Sequence, residues 1–402
     1  MKYIALHHRL GGYSSHHYNE ARGLREELDR RGTKLVLLVN AHAEPRVVAE
    51  LQARAVLDDP TFRMEWSFEE RSRRFVALLH EHVDRFVKRD DRLLVTIATQ
   101  LEADALTRWL QELPDRKKPW VVVLFLSDRW NRGTREEYER QMGEFRELRA
   151  ALAKRSLEDA RRMILGSLTD LLAKELSDLL GTKVSSAPMP LPYGHPPPST
   201  RTSTRPRVAI LGGTRREKGS YRIPEIIRAT RALVDVEFLV HLTNDTLSAE
   251  DAAHLARIAS EPHVTVIREA MPLAEYEAAL GGADLALHPY EVIPYRQRTS
   301  GVFGEAVAFG KPVIVTPGTW MAEQIEAGRA AGVIADGEAP ESYARAIARC
   351  VADLGAFRRA AESVSDAWRR TVSLSAFIDQ LEAEIARRAA EEPPRRRRFW
   401  LF

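Results

Sequence analysis

The chain has 402 residues, 44% of them hydrophobic and 29% charged, a composition expected of two or three soluble domains with substantial cores. Its 60 Lys and Arg stand against 57 Asp and Glu, and four of the positives sit together at Arg395–Arg398, so the body is near neutral and wholesale nucleic-acid binding is excluded. A single cysteine, Cys350, excludes an intrachain disulfide and a cysteine-rich metal site, and no run of about 18 apolar residues predicts a membrane span.

The opening MKYIALHHRLGG is too short and polar for a signal peptide and reads as a strand at once, so a cytoplasmic protein is expected. Lys2–Leu6 is that strand, Gly11 and Gly12 form a turn, a helix lies near Tyr18–Arg30, and Lys34–Val39 is a second strand. This βαβ opening begins a doubly wound domain, without a full dinucleotide-binding glycine pattern. Pro45–Arg89 reads as mostly helical and heavily charged. Arg92–Ala98 is the next strand and Leu101–Leu113 the next helix. Trp120–Leu126 (WVVVLFL) is almost wholly apolar, as a central parallel strand covered on both faces should be.

That run ends in Ser127-Asp128-Arg129-Trp130, at the carboxyl end of a strand, where open α/β sheets bind ligands. Asp128 either faces a substrate or pairs with Arg129. Thr134 and Glu137 form a capping box for the following helix. Met163–Leu165, a helix Leu168–Leu180 closed by Gly181, and Lys183–Ala187 complete this half. The pairs His7–His8 and His16–His17 lack the spacing of a zinc site, so no metal is expected; His16 or His17, just after the Gly-Gly turn, could contact a substrate.

Pro188–Pro206, rich in Pro, Ser and Thr, is a linker between halves of similar size. Beyond it Arg207–Leu211 is a strand, followed by the loop GGTRREKG, Gly212–Gly219. The Gly212–Gly213 pair and three cations at a strand's carboxyl end suit a diphosphate, although a solvated turn has the same composition. Helix Ile223–Leu233, strand Val236–Val240, a helix capped by Ser248, strand Val264–Ile267, helix Leu273–Leu280 and strand Leu285–His288 continue the alternation. After the loop Glu291–Arg298 comes RTSGVFGEAVAFGKPVIV: Ser300 is an N-cap, Val302–Phe309 a short helix, Gly310 a left-handed C-terminal cap, and Val313–Val315 a buried strand. Its tip leaves free N–H groups for an anion, Gly301 has no side chain to hold one off, and Glu305 lies one turn deeper on the same face. Helix Met321–Ala327, strand Gly332–Ile334 and helix Ser342–Asp353 finish a second doubly wound domain, with Cys350 on an apolar helix face.

Taken together, GGTRREKG, the segment ending ADLALHPY, RTSGVFGEAVAFGKPVIV and EQIEAGRAAG resemble a family-4 (group 1) glycosyltransferase of GT-B fold, over about Arg207–Asp353. The resemblance implies two Rossmann-like doubly wound domains facing a central cleft. It divides the chain into 1–190 (acceptor side), a linker 191–206, 207–373 (donor side), a helix 374–390 crossing back to the first domain, and a tail 391–402. It implies a retaining, metal-independent transferase that needs no cofactor and moves a sugar from a nucleotide-diphosphate donor to a glycan, lipid-linked or protein acceptor, in cell-surface glycan or glycoconjugate synthesis.

Residue by residue, the resemblance implies that Lys218 and Arg215 bind the diphosphate, that Thr299, Ser300, Gly301 and Val302 hold it, and that Glu305 binds the ribose. The family's first motif glutamate is Gln297 here, its loop arginine is Gly213, and of its His-Asp pair only Asp128 remains. Gly11 and Gly12 correspond to the family's N-terminal loop beside the phosphates. Two other readings stand: a silent nucleotide-sugar binding subunit, which Gln297 and Gly213 favour, and a GT-B nucleotide-sugar epimerase. The tail EEPPRRRRFWLF suits either a solvated end or contact with an anionic bilayer, which would place the protein at the inner face of a membrane.

Overall fold

The computed structural model describes residues 1–13, 16–61, 63–126, 134–197, 203–213, 215–241, 253, 256–269 and 271–391. The chain divides into two compact units: Met1–Leu126 with Glu139–Pro190 and Leu374–Phe402, and Ser127–Tyr138 with Leu191–Ser373.

The first unit is built on seven strands: β1 Tyr3–His7, β2 Leu35–Asn40, β3 Arg54–Leu57, β4 Arg92–Ala98, β5 Trp120–Phe125, β6 Met163–Ser167 and β7 Ser185–Ser186. They form one parallel sheet in the order β3-β2-β1-β4-β5-β6-β7. Strand order reverses between β1 and β4, which opens a crevice at their carboxyl ends. All six residues of β5 are buried, the result of helices covering both faces of a parallel sheet. The stretch 45–89 is not mostly helical, because it contains β3 between helices Pro45–Glu50 and Phe68–His82. This strand pairs only with β2 and exposes Arg54, so its sequence shows none of the continuous apolar character that marks the inner strands. Thr134 and Glu137 do form the reciprocal cap, with Thr134 N–H donating to Glu137 at 2.7 Å and Glu137 N–H donating to Thr134 Oγ1 at 3.2 Å.

Helix Leu374–Ala390 belongs to the core of this unit. Leu374, Phe377, Ile378, Leu381 and Ile385, at helical spacing, pack with Ala21, Leu24 and Leu28 of helix His16–Arg30. Arg92 fixes its register with two bonds to Glu382, at 2.9 and 2.7 Å.

The second unit carries β8 Arg207–Ile210, β9 Glu237–His241, β10 Val264–Ile267, β11 Leu285–His288, β12 Val313–Val315 and β13 Gly332–Ile334. Their order, β10-β9-β8-β11-β12-β13, is again parallel and reverses between β8 and β11. The core includes Val208, Ile226, Phe238, Leu285, Ile314, Ile347 and the fully buried Cys350. Two elements differ from the sequence reading. The loop before the helix tip contains a short helix Val292–Tyr295, and an 18-residue helix Leu354–Thr371 follows the last βα unit. The inner stripe of that long helix is Ala361, Ser365 and Trp368, with one large apolar side chain in three, which gives a weak apolar signal. Ser248, the cap expected for the helix between β9 and β10, lies outside the described residues.

Candidate functional site in the second unit

The site grows from the β8 turn. Gly212 has φ +115°, a conformation that side chains rarely adopt, and a methyl group there would stand 2.9 Å from Lys218 Nζ and 3.4 Å from Val302 Cγ2. The missing side chain therefore lets the β8 turn, the lysine and the tip of helix Gly301–Ala308 converge. Gly219, at φ +71°, repeats the device: any side chain would collide with the backbone of Pro289, just after β11. The turn is thereby pressed against the carboxyl end of the neighbouring strand, where Glu291 N–H also bonds Glu217 O at 2.9 Å.

Ser300 is the N-cap of helix Gly301–Ala308, its Oγ accepting from Phe303 N–H at 3.3 Å, and Gly310 closes the chain beyond it at φ +64°. Ser300 O accepts from Gly304 N–H at 3.0 Å. The amides of Gly301 and Val302 have no partner among the described residues, as the first turn of a helix dictates. They and the positive end of the helix favour an anion there. One expectation changes: the space beside Gly301 is not open, because Leu191 Cδ1 lies 3.2 Å from where a Cβ would stand. The open approach is on the Val302 side, toward Gly212 and Lys218.

The cations of the turn are only partly neutralised among the described residues. Arg298 reaches Glu217 at 3.7 Å and Arg216 reaches Glu291 at 4.0 Å, but Lys218 and Arg215 pair with no carboxylate among the described residues. Burial, and then the nearby Arg215 and Arg298, push the Lys218 ammonium down to about 8. Its Nζ also stands 5.8 Å from the Tyr290 ring. The strand ends around it carry His241 and His288; burial, with Lys218 adding to it, pushes His288 down to about 3 and also lowers His241. Both rings are thus neutral beside a cationic turn.

Glu305 sits one helical turn below the tip. Burial raises its carboxyl to about 7, while the Tyr276 hydroxyl, donating to Oε2 at 2.5 Å, and Lys218 hold it back from rising further. Gln297 is fully buried, Thr299 half-buried and Gly213 half-buried. The structure thus brings together Lys218, Val302 and Ser300, with Glu305 below, and places Arg215 on the exposed rim of the turn. Gly11 and Gly12 lie in the first unit at the β1 turn, where Gly11 O accepts from Glu44 N–H at 2.8 Å. Asp128 and the His16 side chain lie outside the described residues.

Sequence reading did not single out Tyr276, Tyr290, His241, His288 or Arg298. The two histidines had a signal, since each is the last residue of a strand next to the switch point. Tyr276 had none, because its reach to Glu305 spans 29 residues of chain. Among the described residues no cluster of His, Cys, Asp or Glu could hold a metal, and no helix is long and apolar enough to cross a membrane.

Two doubly wound parallel sheets, the second with an anion-ready turn and helix tip at its switch point, define the GT-B class of fold. Residues 205–353 match the family described as "Glycosyl transferases group 1". No curated protein matches the chain. Among solved structures, sucrose-phosphate synthase from Thermosynechococcus elongatus is similar with a TM-score of 0.67 at 15% identity, over 98% of this chain and 100% of that one. HepE of Anabaena in complex with UDP has a TM-score of 0.66 at 12% identity, over 96% and 100%. The catalytic domain of starch synthase IV from Arabidopsis thaliana, bound to ADP and acarbose, has a TM-score of 0.63 at 12% identity, over 97% and 99%.

Proposed function

We propose that this protein is a glycosyltransferase that takes a sugar from a nucleoside-diphosphate donor and transfers it, with retention and without a metal or other cofactor, to a glycan, lipid-linked or protein acceptor. The observation that carries the reading is the convergence of Gly212, Lys218 and the free amides of Gly301 and Val302, with Lys218 and Arg215 paired to no carboxylate among the described residues. The group 1 match over 205–353 and the UDP, UDP-glucose and ADP complexes of similarly folded proteins support it.

In this reading the diphosphate lies on the Val302 side of the helix tip, held by the two amides, Lys218 and Arg215. Negative charge grows on the diphosphate as the glycosidic bond to it breaks. Fixed donors already aimed at that charge stabilise it without reorganising. Thr299 and Ser300 line the same tip, Gly213 borders it, and Glu305 takes the ribose hydroxyls in exchange for part of its bond to Tyr276. Gln297 meets the sugar through its amide. Gly11, Gly12 and Asp128 keep the roles that the family resemblance implies. A cytoplasmic protein of cell-surface glycan synthesis, touching the membrane through its basic-aromatic tail, fits this activity.

Gln297 and Gly213 favour a second reading, a subunit that binds the nucleotide sugar without transferring it. A thermal-shift screen against UDP, GDP, ADP and their sugars, followed by turnover with the preferred donor, separates the two. Stabilisation by one nucleotide together with release of that nucleotide on adding acceptor supports transfer. Stabilisation without release against a broad acceptor panel supports the silent subunit, and no stabilisation by any nucleotide overturns both.

A further inference from the structure

At the amino ends of β4 and β5, the edge of the first sheet away from the β1 turn, lies a cavity of about 520 Å³. Lys88, Arg89, Asp90, Arg116, Trp120 and Arg162 line it, with Ala389 of helix Leu374–Ala390 at its rim. Four of these side chains are cationic and only Asp90 is acidic.

The cations divide into two sets. Arg162 is 2% exposed, lies 4.7 Å over the Trp120 ring, and shares Glu158 with Arg89 at 2.7 and 2.6 Å. It also donates to Arg89 O at 2.9 Å and Lys118 O at 3.1 Å, so this pair forms a rigid floor. Lys88 and Arg116 are exposed at the mouth and pair with no carboxylate among the described residues. An ordinary solvated charged face is convex and salt-bridged; here two unneutralised cations rim a concavity whose floor is a guanidinium stacked on indole.

We propose that this cavity binds a phosphate-bearing anion, with Lys88 and Arg116 on the phosphate oxygens and the Trp120–Arg162 floor beneath. The assignment is independent of the donor site, which lies in the other unit. A soluble phosphorylated compound and the headgroup of an anionic lipid share the chemistry that these residues recognise.

The test is hydrogen exchange of the full-length chain with inorganic pyrophosphate, and separately with phosphatidylglycerol vesicles against phosphatidylcholine vesicles. Because the proposed donor site also takes a diphosphate, three proteins are compared: wild type, Lys218→Ala, and Lys88→Ala with Arg116→Ala. Slowed exchange at residues 88–92 and 116–120 is expected in wild type and in Lys218→Ala. In the double variant the concentration giving half protection should rise at least about tenfold. Protection by pyrophosphate alone assigns a soluble ligand, and protection only by phosphatidylglycerol vesicles assigns a lipid headgroup. No protection with either probe, or equal protection in the double variant, overturns the proposal.

Discussion

The turn after β1 and the turn after β8 occupy equivalent places, each at a reversal of strand order and each containing paired glycines, yet their charges are handled in opposite ways. After β1, the cation is consumed internally: Arg9 lies 2.5 Å and His8 Nε2 2.9 Å from Glu102, a carboxylate with no exposure that also caps its own helix through Thr99. Those neighbours hold the Glu102 carboxyl far below the usual range despite burial. After β8, Lys218 and Arg215 face each other's charge with no carboxylate in pairing distance among the described residues, and Lys218 is pushed down by burial and by its cationic neighbours. In the proposed function this difference marks the β8 turn, and not the β1 turn, as the one whose side-chain cations hold the diphosphate, a distinction that the glycine pattern does not make.

Perturbing each turn should therefore show in a different measurement, stability for the first and turnover for the second. Glu102→Ala leaves a buried His8 and Arg9 without their partner and should destabilise the protein by about 3–5 kcal/mol in urea denaturation. Removing Lys218 and Arg215 together should leave the fold intact and lower sugar transfer about 10²- to 10³-fold, measured as turnover with the preferred donor. A double variant with wild-type turnover would remove the β8 turn from the chemistry.

A carboxyl buried at each end extends the contrast to pH. Glu305 is raised from 4.5 to about 7, and Glu20, held by Thr96 in the first unit, to about 8, both chiefly by burial. The folded state then keeps protons that the unfolded chain has released. Each contribution is complete below pH 4.5 and is lost as pH rises through 7 or 8, amounting to about 3 kcal/mol for Glu305. Glu305→Gln should flatten the fall in stability between pH 4.5 and 7 and leave the part due to Glu20.

Lys218→Met has the smaller and opposite effect. A lysine lowered from 10.5 to about 8 disfavours the folded state at neutral pH, so removing its charge should stabilise the ligand-free protein by about 1–2 kcal/mol in thermal denaturation. Destabilisation would mean that the lysine is neutralised after all. The smallest effect belongs to the surface histidine His80, bonded to Asp84 at 2.8 Å and Glu112 at 2.7 Å, which raise it. Its contribution is present below pH 6.5 and fades as pH rises past its folded value, and Glu112→Gln should remove under about 1 kcal/mol of it.

Local grammar made much of the fold legible. The fully buried strands β5 and β11 and the nearly buried β4 show as apolar runs, and the tip of helix Gly301–Ala308 shows as Thr-Ser-Gly followed by Gly310, because caps and buried strands are set by residues close in sequence. The edge strand β3 and the helix Leu354–Thr371 were not legible, since one is half-exposed and the other presents Ala, Ser and Trp to its neighbours. Of the site, the sequence by itself determined which residues could receive an anion: glycines, cations and an N-cap at the ends of strands. Only the tertiary structure decided that Leu191 closes one side of Gly301, that Tyr276 engages Glu305, and that Glu102 neutralises the first turn while no carboxylate among the described residues pairs with Lys218. Each of these links residues from 29 to 110 positions apart, and such pairings depend on how strands and helices pack, which no local pattern encodes.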